Sequence, residues 1–75
     1  MGKMKNALAI DVGGTYLKSA IITSHGTLLK NTFRRVPINS QGTAEEIIQT
    51  FVNVINSALN KAKSLEVEIA GIGIG

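Results

Sequence analysis

The sequence predicts a mixed α/β fold with the element order strand, strand, strand, helix, strand. Three observations predict it: short apolar runs near the start of the chain, a long segment with helical periodicity, and a glycine-studded apolar run at the end. A helical crossover between strands of one sheet returns the chain in parallel, so the predicted strand order is 3-2-1-4. One helix covers only one face, which makes the predicted sheet incomplete.

The first two predicted strands are joined by a glycine-rich turn. Residues 7–12 form an apolar run that is too short for a helix, and residues 16–23 are rich in Tyr and Ile. Only Gly13, Gly14 and Thr15 separate the two runs. This spacing predicts an antiparallel hairpin.

A third strand is predicted at the edge of the sheet. It follows a turn at residues 24–26 and covers residues 27–36, where basic side chains suit an exposed edge and Pro37 ends the strand. Its Phe33 is a core candidate. His25 lies in the preceding turn without an acidic or cysteine neighbour, so we assign it no role.

A capped amphipathic helix precedes the last strand. Thr43 and Glu46 have the spacing of a capping box, so the helix is predicted to begin near Ala44 and to end near Lys63. Its apolar residues recur at steps of three and four, which predicts one stripe packed on the sheet. The main predicted contacts are Ile48, Phe51, Ile55 and Leu59. Residues 67–74 then form the fourth strand.

The composition excludes several classes of function. The chain has no cysteine and one histidine, so it has neither a disulfide nor the ligands of a zinc cluster. Its net charge of +3 comes from scattered basic residues without interleaved aromatics, which argues against nucleic-acid binding. No apolar run reaches the roughly 18 residues that span a membrane, and no cleavage site follows the start, so we expect a cytoplasmic protein that does not bind membranes.

The turn between the first two strands carries the pattern of a phosphate site. Gly13 and Gly14 lack Cβ atoms, which lets backbone N–H groups approach a phosphate, and Thr15 adds a hydroxyl. Asp11 closes an apolar strand, a costly position for a carboxylate unless it meets a cation, a hydrated Mg²⁺ or backbone donors. Lys18 could supply a point charge. The same features fit an ordinary hairpin with Asp11 bonded to its own turn and Lys18 solvated.

Two other phosphate motifs do not fit the spacing. No G-x-x-x-x-G-K-[ST] is present, because Leu17 rather than glycine precedes Lys18. The glycines at 71, 73 and 75 stop before a dinucleotide-binding fingerprint could finish. Both motifs also join a strand to a helix, whereas this turn joins two strands.

Residues 9–18, Ala-Ile-Asp-Val-Gly-Gly-Thr-Tyr-Leu-Lys, resemble the first phosphate motif of the actin-like ATPase and hexokinase superfamily. The D-x-G-G-T-x-x-K form, the turn at Gly26, the capped helix and the final Gly-Ile-Gly-Ile-Gly resemble in particular the ROK family of repressors, uncharacterised open reading frames and sugar kinases. The likeness covers residues 7–75 and implies a ribonuclease H-like N-terminal subdomain. Glycerol and xylulose kinases usually have a Gly-Thr-Thr turn, so the Gly-Gly-Thr turn favours the hexokinase side.

The resemblance also implies roles for individual residues. Gly13, Gly14 and Thr15 would line the ATP phosphates with Lys18 near them, and Asp11 would hold Mg²⁺ through water. The family's catalytic aspartate, sugar-binding residues, second phosphate motif, adenosine pocket and zinc site have no counterpart in the chain. We therefore assign no catalytic residue and expect residues 1–75 to be a partial N-terminal domain.

The resemblance leaves three functions open. The first is a glucokinase-like sugar kinase that transfers a phosphoryl group from MgATP to a sugar hydroxyl. The second is the sugar-sensing domain of a ROK repressor, although such proteins normally carry a DNA-reading helix-turn-helix ahead of this domain and Met1 lies close to the first strand. The third is a non-sugar ATPase or acid kinase of the same superfamily. The chain alone is expected to be inactive and to form a homo-oligomer.

Overall fold

The computed structural model describes residues 5–39 and 41–75, which form one sheet with a helix against it. The elements are β1 (Lys5–Val12), β2 (Tyr16–Thr23), β3 (Arg34–Pro37), α1 (Ala44–Ser64) and β4 (Glu68–Ile74). The strand order is β3-β2-β1-β4, with β2 antiparallel to both of its neighbours and β4 parallel to β1. The predicted order and hairpin are confirmed. This arrangement is compatible with an incomplete actin-like N-terminal subdomain.

The hydrophobic core lies between α1 and one face of the central hairpin. Leu8 on β1 is opposite Ile21 on β2, and both side chains are almost fully buried, as is Leu17. Val54 and Ala58 of the helix form one cluster with Leu8, Ile10 and Leu17. Full burial of an aliphatic side chain of this size is worth about 1.5–3 kcal/mol, so these contacts hold the helix on the sheet.

The helix packs through a different stripe from the predicted one. Its bounds agree with the sequence pattern, and Phe51 and Ile55 do pack against the core. The predicted contacts of Ile48 and Leu59 are wrong, because these side chains are 61% and 41% exposed. The buried helix residues are Val54, Ala58 and Ala62. Two alanines at steps of four let the helix backbone approach the sheet, which leaves the bulkier side chains on the flanks.

The third strand is shorter than predicted. It begins at Arg34 rather than at residue 27, and it includes Pro37, which the sequence suggested would end it. Proline is tolerated there because β3 lies at the edge of the described sheet, where one row of backbone donors needs no partner. Before β3, the chain makes only an isolated bridge between Leu28 and Ile22.

A side chain replaces the missing strand pairing in this segment. Asn31 has a positive φ of 65°, which breaks the extended backbone. The hydroxyl of buried Thr32 then donates to the carbonyl of Leu29 at 2.6 Å and accepts from the amide of Ile21 at 3.1 Å. The β2 amide is thus satisfied without a neighbouring strand. Phe33, a predicted core residue, is 55% exposed beside this segment, so that prediction is wrong.

The face of the sheet opposite α1 carries small residues. The sequence suggested exposed Ile and Val side chains there. Ile22, the partner of Ala7, does lie on that face, but on the β4 side the β1–β4 pairing shifts by one residue between Asn6 and Ala7. The shift aligns Gly71 and Gly73 with Ala7 and Ala9, while Ile72 and Ile74 align with residues of the helix side. We call the side of Ala7, Ala9, Ala20, Gly71 and Gly73 the open face.

The end of α1 uses a glutamate where glycine is usual. Glu66 has a positive φ of 57°, and its amide donates to the carbonyl of Lys63 at 3.2 Å. The next amide, of Val67, reaches back to the carbonyl of Ala62 at 3.0 Å. These bonds satisfy free carbonyls of the last turn, as in a Schellman motif. A side chain with a Cβ atom is strained at this φ.

We expect Glu66→Gly to raise the free energy of unfolding by about 0.5–1 kcal/mol, because glycine adopts the left-handed region without strain. Chemical denaturation measures the change. Glu45→Gly removes the same charge from the first turn of α1, where an acidic side chain favours the helix, and should instead cost about 1 kcal/mol. Equal destabilisation by both variants would contradict this account of the helix end.

Candidate phosphate-binding site

The turn between β1 and β2 is held on both sides. The amide of Gly13 donates to the carbonyl of Tyr16 at 2.9 Å and closes the hairpin. The carbonyl of Thr15 accepts from the amide of Ile38 at 2.8 Å, which ties the turn to the segment after β3. On the other side, the amide of Val12 donates to the last carbonyl of the chain at 2.9 Å. The turn therefore has a fixed position relative to three strands.

The two glycines of the turn differ in the space that surrounds them. A Cβ atom on Gly13 would lie 3.1 Å from the carbonyl oxygen of Tyr16, so the hairpin backbone would have to shift by a few tenths of an ångström to accept a side chain there. A Cβ atom on Gly14 would meet nothing within 4 Å, and the φ of Gly14 is not positive. The fold does not require glycine at this second position. The open space above it is where a ligand could approach the backbone.

The turn also presents backbone donors. Within residues 5–39 and 41–75, the amides of Gly14 and Thr15 donate no hydrogen bond, and both residues are exposed. Adjacent amides of this kind form an anion-binding concavity when they point to one side. Two neighbouring amides without acceptors are the kind of donor that phosphate oxygens accept from.

A row of three charged residues crosses the open face next to the turn. Asp11 on β1 is the register partner of Lys18 on β2, and Lys18 is in turn the partner of Arg35 on β3. All three are exposed, and no ion pair joins them within the described residues. The carboxylate of Asp11 is therefore in contact with solvent, although the apolar residues of its strand suggested a buried position. We call Asp11, Lys18 and Arg35 the charged row.

Arg35 lies beside the turn, although the sequence analysis gave it no part in the candidate site. Its guanidinium carbon lies 4.4 Å from the centroid of the ring of Tyr16, the residue that directly follows the glycine turn. The sequence placed Arg35 on an exposed edge but gave no signal for its neighbours. Its register depends on the irregular segment before β3, which the alternation of residue types does not specify.

The charged row offers limited means to bind a metal ion. Among the described residues, no three His, Cys, Asp or Glu side chains come together as a metal site. Asp11 contributes a single exposed carboxylate. Because Mg²⁺ keeps several waters and is often held by one or two carboxylates plus substrate phosphates, one carboxylate beside the turn fits such an ion only when phosphates are also present.

A shallow cleft of about 530 Å³ lies on the open face beside the charged row. Its floor includes Ala9, Ala20 and Gly73, and its apolar wall includes Leu28 and Phe33. Asp11 and Lys18 lie at its polar end. Of the predicted site residues, Asp11 and Lys18 therefore share one side of the sheet, whereas His25 is exposed in a separate turn. No helix within the described residues is long and apolar enough to cross a membrane.

Comparison with known proteins shows a similarity to a sugar kinase. No family model matches the chain. The chain is similar to a probable L-xylulose kinase from Haemophilus influenzae, with 37% identity over 73 residues. The match covers 89% of this chain but 15% of the relative, so the chain spans only a small part of that protein's length.

We expect Gly14→Ala to leave the free energy of unfolding unchanged or to raise it by up to about 1 kcal/mol, because the added methyl group meets open space and restricts the unfolded chain. Gly13→Ala should cost about 1–3 kcal/mol, because its methyl group is pushed against the Tyr16 carbonyl. Urea denaturation of both variants tests the contrast. A loss at Gly14 as large as that at Gly13 would show that both glycines serve the hairpin alone.

Proposed function

We propose that this chain is the phosphate-binding first part of an ATP-dependent sugar kinase. The observation that carries the proposal is the hairpin turn, in which Gly14 is not required by the fold and two neighbouring amides are unused. The similarity to a probable L-xylulose kinase supports a sugar as the acceptor. The resemblance of residues 9–18 to the actin-like phosphate motif supports ATP as the donor.

In this proposal the turn holds the phosphates of ATP. The backbone of Gly13, Gly14 and Thr15 surrounds phosphate oxygens, and Lys18 adds a positive charge from the adjacent strand. Asp11 holds Mg²⁺ through its water shell, and the ion neutralises charge on the phosphates when it is bound. Phosphoryl transfer depends mainly on positioning and charge neutralisation, so this segment would contribute to catalysis without a general base. We assign no such base within residues 1–75.

The finer proposal is a glucokinase-like member of the ROK family. The Gly-Gly-Thr form of the turn and the following lysine support it. The name of the relative points instead to L-xylulose. The intact protein, meaning the kinase of which this chain would be the first part, can be assayed for phosphorylation of D-glucose and of L-xylulose. These assays distinguish the two substrates. Turnover of L-xylulose alone would overturn the ROK proposal and keep the sugar kinase, whereas no turnover with any sugar would overturn both.

We expect Asp11→Ala to lower kcat of the intact protein by about 10²–10³-fold, because its carboxylate acts on the charge of the metal and phosphates. The free energy of unfolding should change by less than about 0.5 kcal/mol, since Asp11 is exposed and unpaired within the described residues. Steady-state kinetics and denaturation measure the two effects.

Thr43→Ala is the matched structural control for Asp11→Ala. The Thr43 hydroxyl accepts from the amide of Glu46 at 3.2 Å and caps α1, far from the turn in sequence. Its loss should cost about 1 kcal/mol of stability and leave kcat unchanged. Unchanged turnover in Asp11→Ala would restore the interpretation of residues 11–18 as a plain hairpin.

We also propose that the 75-residue chain associates with itself and has no kinase activity alone. Ile72 and Ile74 are 48% and 61% exposed on β4, which lies at the edge of the described sheet. Burial of such apolar surface contributes about 25 cal/mol per Å², and an edge strand can pair with another chain. Sedimentation at micromolar concentration should show a species larger than the monomer. A compact monomer with a cooperative thermal transition would contradict the proposal.

A further inference from the structure

We propose that Arg35 is a second cation for the phosphates bound at the glycine turn, and that the ring of Tyr16 holds it in position. This inference rests on the proposed function and adds a specific residue to it. The ligand class is a polyphosphate with negatively charged oxygens on neighbouring phosphorus atoms. Three features of the structure carry the inference.

The first feature is the contact between Arg35 and Tyr16. The guanidinium carbon is 4.4 Å from the ring centroid, well within the roughly 6 Å of a cation–π contact. Tyr16 directly follows the turn, and its carbonyl accepts the hydrogen bond that closes the hairpin. A guanidinium stacked on a ring keeps N–H groups at its edges, and these can donate to phosphate oxygens as a pair. Arg35 is thus fixed beside the turn with donors available.

The second feature is an unbalanced pair of positive charges. Arg35 and Lys18 are direct register partners on β3 and β2, and like charges in this relation destabilise a strand pair. The carboxylate of Asp11 lies on the far side of Lys18, one strand further from Arg35. Within the described residues neither cation forms an ion pair with a carboxylate. An anion bound near both cations would replace their repulsion with attraction.

The third feature is the fixed distance between β3 and the turn. The amide of Ile38 donates to the carbonyl of Thr15 at 2.8 Å, so the chain just after β3 is bonded to the turn. Val36, next to Arg35, packs against the core opposite buried Leu17. These contacts hold the backbone of Arg35 in place, so little ordering of β3 is required on binding.

Arg34 provides a matched control within the same strand. It is the register partner of buried Ser19, which places it on the helix side of the sheet rather than the open face. It lines a cavity there with Val54 and Ser57 of α1. A change from arginine to glutamine at 34 or 35 alters the net charge equally. Only the change at 35 removes a donor from the charged row.

The test measures binding of inorganic tripolyphosphate and of MgATP to the intact protein by titration calorimetry. We expect Arg35→Gln to raise the dissociation constants of both ligands about tenfold or more, since a hydrogen bond to a charged group is lost. Arg34→Gln should change the two dissociation constants less than about twofold, because it removes a charge on the other face of the sheet, away from the bound phosphates. Arg35→Lys should fall between, since lysine keeps the charge but loses the paired donors. Equal effects at 34 and 35 would overturn the role of Arg35.

Variants of Tyr16 test its positioning role. Tyr16→Phe keeps the ring and should leave the KM for ATP nearly unchanged, whereas Tyr16→Leu should raise it about threefold with little change in kcat. In the Arg35→Gln background, Tyr16→Leu should have no further effect on KM, because the side chain that the ring holds is absent. Independent, additive effects would overturn the positioning role.

The outcomes separate this inference from the proposed function. Suppose that binding of tripolyphosphate depends on Arg35 but the protein phosphorylates no sugar: the role of Arg35 as a second cation would stand and the proposed kinase function would be overturned. If the protein phosphorylates a sugar and both glutamine variants bind equally well, the kinase function would stand and the role of Arg35 would be overturned. A wild-type protein that binds neither tripolyphosphate nor MgATP would overturn both.

Discussion

The antiparallel pairing of β1 with β2 around residues 13–15 is the constraint on which the rest of the structure depends. It buries Leu8, Leu17 and Ile21 on one side, where α1 is held. On the other side the same pairing places Asp11 opposite Lys18. A shift of this register by one residue would exchange the two faces, because side chains alternate along a strand. Core and site are therefore specified by one set of backbone hydrogen bonds.

The strands next to the hairpin complete the surroundings of the candidate site. On the open face, the charged row lies beside a floor that includes Ala9, Ala20 and Gly73, with Leu28 and Phe33 at its wall. β3 brings a third charge into line with the first two, and β4 holds the end of β1 through backbone bonds. The side chains proposed to meet phosphate lie on strands of the sheet, where a ligand meets groups that are already fixed.

The sequence was most informative where local patterns decide the structure. The spacing of residues 13–15 predicted the hairpin, and the capping residue Thr43 predicted the start of α1, because both depend on neighbours in the chain. The strand order also followed from a general rule of crossovers. The predictions failed at Ile48 and Leu59, since their burial depends on how the helix is rotated against the sheet. That rotation is set by close approach at Ala58 and Ala62, which a stripe of apolar residues does not reveal.

The same distinction applies to the candidate site. The segment from Asp11 to Lys18 is visible as a motif because its residues are contiguous in sequence. Arg35 is brought beside Tyr16 only by the pairing of β3, whose start depends on the backbone of Asn31 and the hydroxyl of Thr32. The open face depends on the single-residue shift in the β1–β4 pairing. Such irregular features arise from tertiary packing and have no periodic signature.

The turn has a further consequence for the order in which the chain folds. The β1–β2 hairpin joins neighbours in sequence, and hairpins of this kind form in about 1–10 μs. The parallel pairing of β1 with β4, beside which the Asn6 side chain donates to the carbonyl of Glu68 62 positions away, instead waits for closure of a long loop. During synthesis, the hairpin emerges before α1 and β4. The geometry proposed to hold phosphate is thus encoded in the part of the domain that can form earliest.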